Sequence, residues 1–131
     1  MGYSNGPVEN CHSTGAVWGK VVYNCVALNQ DLTTTVSFPV FGRVIGGKYS
    51  VPAVSNSYAR KDISKNGSVH TWLNTGGNNN DGEDIDITSG EFNDIGWWKD
   101  IALFPENEWV FAASKLPTLK NTGGLQNPAV K

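Results

Sequence analysis

The run Trp72-Leu73-Asn74-Thr75-Gly76-Gly77-Asn78-Asn79-Asn80-Asp81-Gly82 places an indole, five amide or carboxylate side chains and three glycines within eleven residues. Such groups can read a sugar without cleaving it. An aromatic ring stacks on the flat C–H face of a pyranose, adding on the order of 1 kcal/mol beyond the area buried, and planar polar groups give direction to the hydroxyl rim. Five tryptophans in 131 residues exceed what one small core requires. Trp97 and Trp98 are adjacent, and neighbours on a strand point to opposite faces, so one of the two is expected to face away from the core. Trp72, Asn74, Asn78, Asn79, Asn80, Asp81, Trp97 and Trp98 are therefore the expected ligand-binding residues, with a glycan or cell-surface polysaccharide as the partner.

The same region carries oxygen ligands. Asp81, Glu83, Asp84 and Asp86 are the candidates for calcium, which takes about six to eight oxygens from carboxylates, amides and backbone carbonyls. Their spacing departs from the EF-hand loop, and one Gly76–Asp81 segment cannot build a calcium-binding roll, which needs stacked repeats, so no cofactor is expected. Two isolated histidines, His12 and His70, and two cysteines fall short of a zinc site. Nucleophilic catalysis finds no Gly-x-Ser-x-Gly elbow, and phosphodiester chemistry finds no basic cluster. Carboxylates for glycoside hydrolysis exist in Glu83, Asp86, Glu91 and Asp94, but their separation is not readable from sequence. The expectation is a non-catalytic protein. His12 is expected at the surface beside Cys11, and His70 on a strand face shared with Trp72.

These residues need elements to position them, and the β signals dominate. Residues 17–28 (VWGKVVYNCVAL) are rich in β-branched and aromatic types and read as a long strand. Thr33 to Phe41 alternates with Val36, Phe38 and Val40 on one face, and Pro39 makes that strand an edge or a bulged one. Gly46-Gly47 and Asn66-Gly67 read as hairpin turns, the first between Arg43–Ile45 and Lys48–Val51, the second between Asp62–Ser64 and Ser68–Leu73. Residues 84–88 alternate as a strand leaving the amide-rich loop. Residues 97–104 and 109–113 flank Pro105-Glu106-Asn107-Glu108 as a final hairpin, in preference to one helix over 105–116. No internal repeat is evident. The expected fold is an all-β, antiparallel β-sandwich or jelly-roll-like single domain spanning 1–131, with long loops, little helix and an irregular C-terminal tail at 116–131.

Composition narrows the partners further. Ten basic against twelve acidic residues give a net charge of −2, so no basic field exists to attract nucleic acid. No apolar run approaches the length of a membrane-spanning helix, and no membrane insertion is expected. Cys11 and Cys25 close a short loop if joined; such a disulfide would contribute about 3 kcal/mol by loop-closure entropy. Their even number and the Asn-, Gly-, Ser- and Thr-rich context lead to the expectation of a disulfide and an extracellular or cell-surface location, although residues 1–7 show neither the basic start nor the apolar run of a signal peptide. Asn66-Gly67-Ser68 is a glycosylation sequon as well as a turn. Exposed aromatics would equally serve a structural or attachment component of a larger assembly, such as a phage, virus or pilus-tip protein, and homo-oligomerisation fits that alternative.

Overall fold

The protein was described from a computed structural model, in which residues 2–3, 7–13, 17–18, 21–35, 40–48, 53–88, 90 and 93–121 are placed. In chain order the strands begin with β1 (Gly2–Tyr3), β2 (Pro7–Ser13), β3 (Val17–Trp18), β4 (Val21–Ala27), β5 (Asp31–Leu32), β6 (Val40–Gly42) and β7 (Gly46–Lys48). They continue with β8 (Ala53–Ser55), β9 (Tyr58–Arg60), β10 (Ser64–Lys65) and β11 (Glu83–Ile85). A π-helical turn at Trp97–Ile101 then precedes β12 (Trp109–Val110) and β13 (Thr118–Leu119).

Three segments share one pattern: Val8-Glu9-Asn10-Cys11-His12-Ser13, Val22-Tyr23-Asn24-Cys25-Val26-Ala27 and Val54-Ser55-Asn56-Ser57-Tyr58-Ala59. They lie side by side as rungs. β2 pairs with β4 in parallel, Val8 facing Val22 and Cys11 facing Cys25. β4 pairs in parallel with β8 (Val22 facing Val54) and with β9 (Val26 facing Tyr58), in one unbroken register. β8 and β9 are thus a single strand bent at Asn56. β11 adds a fourth parallel rung on β9, Glu83 facing Tyr58. On other sides of the coil β1 pairs with β3 and β5 with β10, again in parallel.

The bend has a chemical cause in the repeated asparagine. Asn10, Asn24 and Asn56 have φ of 49°, 51° and 41°, the left-handed region that asparagine tolerates better than other side chains. Their amides form a ladder across the rungs: Asn24 Nδ2 donates to Asn10 Oδ1 at 3.0 Å, and Asn56 Nδ2 to Asn24 Oδ1 at 2.9 Å. Each rung turns its corner at the same residue.

The architecture is therefore an irregular parallel β-solenoid, mostly β with little helix, and the expected antiparallel sandwich is corrected. Period-2 alternation reports that a strand has two unlike faces; it carries nothing about the direction of its partner. Parallel neighbours need long returns between them, and those returns differ in length here: Val8 meets Val22, Val22 meets Val54, and Tyr58 meets Glu83. The unequal spacing hides a repeat that the sequence does contain.

Two apolar layers result. Inside the coil, Val22, Cys25, Ala27, Val44, Ala59 and Ile63 pack together. Outside it, the row of Val26 and Tyr58 is covered by Trp98, Phe104, Trp109 and Leu116 from the C-terminal segment. Burying one such side chain fully is worth roughly 1.5–3 kcal/mol, so this cover is a second core.

Several local expectations change accordingly. Arg43–Ile45 is the turn between β6 and β7 and not a strand, because all three side chains are drawn into the interior, while Gly46 and Gly47 belong to β7. Asn66-Gly67 is a turn as expected, with φ of 50° and 72° and Lys65 bridged to Ser68, but no strand follows at 68–73. The final hairpin joins β12 to β13, not residues 97–104 to 109–113. Residues 97–101 coil instead, which lets both Trp97 and Trp98 reach the outer core, their rings 5.0 Å apart; on a strand one of them would have faced away. Leu116 and Pro117 are buried, so the packed unit extends through β13. The expected strand at 33–41 falls partly, through Val36, Phe38 and Pro39, outside the described residues, as do Glu91 and the tail from 122 to 131.

The two cysteines of the expected disulfide face each other in register on β2 and β4, with their sulfurs unbonded.

Candidate functional site

The amide-rich loop is organised around a buried guanidinium. Arg43 is 0% exposed, and its donors are met from the loop and its neighbours. Nε donates to Asp81 O at 2.9 Å, Nη1 to Arg60 O at 3.1 Å, and Nη2 to Gly82 O at 3.2 Å and to Asp84 Oδ1 at 2.6 Å. The cation also lies 5.9 Å from the centre of the Trp72 ring. Asp81, itself 2% exposed, completes the clamp: Oδ1 accepts from Arg43 N at 3.3 Å and Oδ2 from Asn74 N at 2.9 Å.

Two glycines let the backbones approach this closely. A Cβ on Gly42 would lie 2.4 Å from Asn80 O, and one on Gly82 would lie 2.6 Å from Val44 Cγ2. Gly82 also sits at φ +70°, where glycine is unstrained. The loop closes on itself through Gly76 N to Gly82 O and Gly82 N to Asn79 O, both 3.0 Å. It is a braced loop, not a loose spacer.

The expected ligand-binding residues divide by burial. Trp98 is 1% exposed among Phe104, Val26 and Trp97 and offers no platform, and Asp81 has both oxygens committed. Asn80 is half-buried, with its carbonyl accepting from Val44 N. Trp72 is half-buried: Nε1 donates to Ile63 O at 2.8 Å, and the ring meets Phe41 and the exposed His70. Asn74, Asn78 and Asn79 are exposed, and Trp97 is half-buried edge-on to Tyr58 at 5.2 Å.

Asn56, which the sequence reading passed over, joins loop to aromatics. Its backbone N–H donates to Asn78 Oδ1 at 3.2 Å, its Oδ1 accepts from Tyr58 OH at 2.8 Å, and its Nδ2 donates to Ile101 O at 3.3 Å. Tyr58 OH also reaches Ile101 O, and the Tyr58 ring carries Trp97. One turn of the ladder thus brings an exposed amide, a phenol and an indole onto one surface, with the exposed Glu83 in register beside Tyr58. Burial, and then the Glu83 charge, raise the Tyr58 phenol above its ordinary pKa and keep it a neutral donor. Arg43 was likewise missed, because an isolated arginine in a strand-like run carries no sign that it will be buried. Asn56 did leave a signal, its shared place with Asn10 and Asn24 in the three-fold pattern.

The calcium candidates do not converge. Asp81 and Asp84 serve Arg43, Asp86 pairs with Lys61 at 2.5 Å, and no group of three metal-ligating side chains gathers among the described residues. Lys61, aided by Thr88, holds the Asp86 carboxyl well below the usual range.

His12 is not the surface residue expected. It lies against Trp98, Phe104 and Trp109, and its Nε2 donates to Pro117 O at 2.7 Å. Burial depresses its pKa, partly opposed by that hydrogen bond. Among the described residues no helix is long and apolar enough to cross a membrane. No family model, curated protein or solved structure matches this chain.

Proposed function

We propose that the protein is a non-catalytic binding module, adhesin-like in mode, that reads a glycan on the surface formed by Asn78, Asn79, Tyr58 and Trp97. The supporting observation is the convergence at Asn56 of a braced amide loop and an edge-to-face pair of rings. Asn78 Oδ1 and Asn79 Nδ2 are each tied to the protein, the second to Thr75 O at 2.7 Å. That leaves the Asn78 NH₂ and the Asn79 carbonyl at exposed positions with their orientation set. Holding such groups before the ligand arrives removes part of the ordering cost of binding. The half-buried Trp97 supplies the apolar edge, and Glu83 a charged acceptor on the rim.

A glycan array followed by calorimetry on its hits tests the proposal. Asn78→Ala and Trp97→Ala should each weaken binding by roughly fivefold to tenfold, the equivalent of about 1–1.4 kcal/mol, with circular dichroism confirming an unchanged fold. An array without hits, or wild-type affinity in both variants, would rule it out.

A further inference from the structure

The two free thiols occupy equivalent positions on neighbouring rungs, and their surroundings differ in a way that assigns each a role. Cys11 lies on β2, which pairs on one side only among the described residues, and is half-buried with Sγ 2.9 Å from Glu9 O. Cys25 lies on the central β4, is 0% exposed, and has Sγ 3.3 Å from Tyr23 O. Cys11 and Cys25 are register partners across the two strands, and Cys25 Sγ also lies 3.6 Å from Val8 O.

We propose that Cys11 and Cys25 form a thiol–disulfide exchange site for low-molecular-weight disulfides of the glutathione type, with Cys11 as the attacking sulfur and Cys25 as the resolving one. The Cys11 thiolate attacks one sulfur of the reagent disulfide, the reagent S–S bond breaks, and the departing thiolate takes up the proton that Cys11 lost. Cys25 sulfur then attacks Cys11 sulfur in the mixed disulfide, expels the second reagent thiolate, and passes its proton to it. Two protein thiols are oxidised to one disulfide, and one reagent disulfide is reduced to two thiols. The reagent must meet the more accessible sulfur, and only an adjacent one can finish the reaction; Cys11 is half-buried on an edge rung and Cys25 is fully buried beside it. The adjacent Cys25 side chain, against the cost of burial, brings the Cys11 thiol down to about 7, into the range of reactive cysteines. The Cys11 side chain, followed by burial, pushes Cys25 up. In-register backbones about 4.7–4.9 Å apart lie within the Cα separation that a disulfide can bridge, so closure needs no rearrangement of β2 against β4, and a bond whose Cys11 end lies on an edge rung is expected to open again under reducing conditions.

The test uses the full chain in reduced and oxidised glutathione buffers, quenched with acid, alkylated and read by intact mass. Oxidising buffer should give a species two hydrogens lighter that takes up no alkylating agent, passing through an adduct of one glutathione mapped to Cys11, and reducing buffer should restore the dithiol. Cys25→Ser should stop at the one-glutathione adduct. Brief alkylation of the native wild type, which needs no variant, should modify Cys11 at least about tenfold faster than Cys25. The proposal is overturned if the wild type stays a dithiol or halts at the mixed disulfide in oxidising buffer, or if Cys25 is alkylated as fast as Cys11.

Discussion

Arg43 shows how one side chain sets the state of a loop. A guanidinium taken out of water is tolerable only when its donors and charge are met, and here three backbone carbonyls and the Asp84 carboxylate meet them. Removing it strands the same buried carbonyls and takes the ion-pair partner from Asp84. Arg43→Ala is therefore expected to cost about 3–5 kcal/mol, measured as a lower urea midpoint. Arg43→Met, which restores volume but no donors, should recover little of that loss; full recovery would mean that Arg43 acts by packing alone. At this scale the sequence was partly legible. Asn74, Asn78 and Asn79 are exposed polar residues, as their types imply, whereas Asp81 and Trp98 are buried. A carboxylate and an indole can each serve a ligand or a core, and which one holds depends on what faces them across the chain.

At the scale of the elements the asparagine ladder carries the fold. Asn24 occupies its middle rung, donating to Asn10 and accepting from Asn56 while holding φ of 51°. Asn24→Ala loses two hydrogen bonds worth about 1 kcal/mol each and adds about 1–2 kcal/mol of left-handed strain, so a loss of roughly 3 kcal/mol is expected. Asn24→Gly keeps the backbone at ease and should lose only about 2 kcal/mol, the bonds alone. Equal losses in chemical denaturation would mean that the corner geometry contributes nothing. The strand-forming character of residues 21–27, the exit strand near 84 and the Asn66-Gly67 turn were all readable from residue type. Strand direction was not, since direction depends on which segment returns alongside, and the returns here have no common length.

For the whole molecule, His12 links the first full rung to the far end of the chain through Pro117. Because burial lowers its pKa beneath the ordinary 6.5, the unfolded chain binds a proton that the folded chain resists. Its effect is absent above pH 6.5, and stability is lost as pH falls from there towards the folded-state value. Asp62 and Asp86, held down by Arg60 and Lys61, act in a separate and more acidic window, below their ordinary 3.8. Thermal melts from pH 7.5 to 4.5 should show a decline in the wild type that His12→Gln flattens; parallel curves would place the pH dependence elsewhere. The sequence by itself determined that the chain is β-rich, that its net charge is −2, and where its amides and indoles are concentrated, because propensity and composition are properties of single residues and short windows. Only the tertiary structure decided that the rungs run parallel, that one tryptophan of the adjacent pair is buried outright, and that the two cysteines face each other in register. Each of those outcomes depends on contacts between residues far apart in the chain, set by the register of stacked coils, and the repeated Val-x-Asn segments that mark the register are hidden by the unequal returns between them.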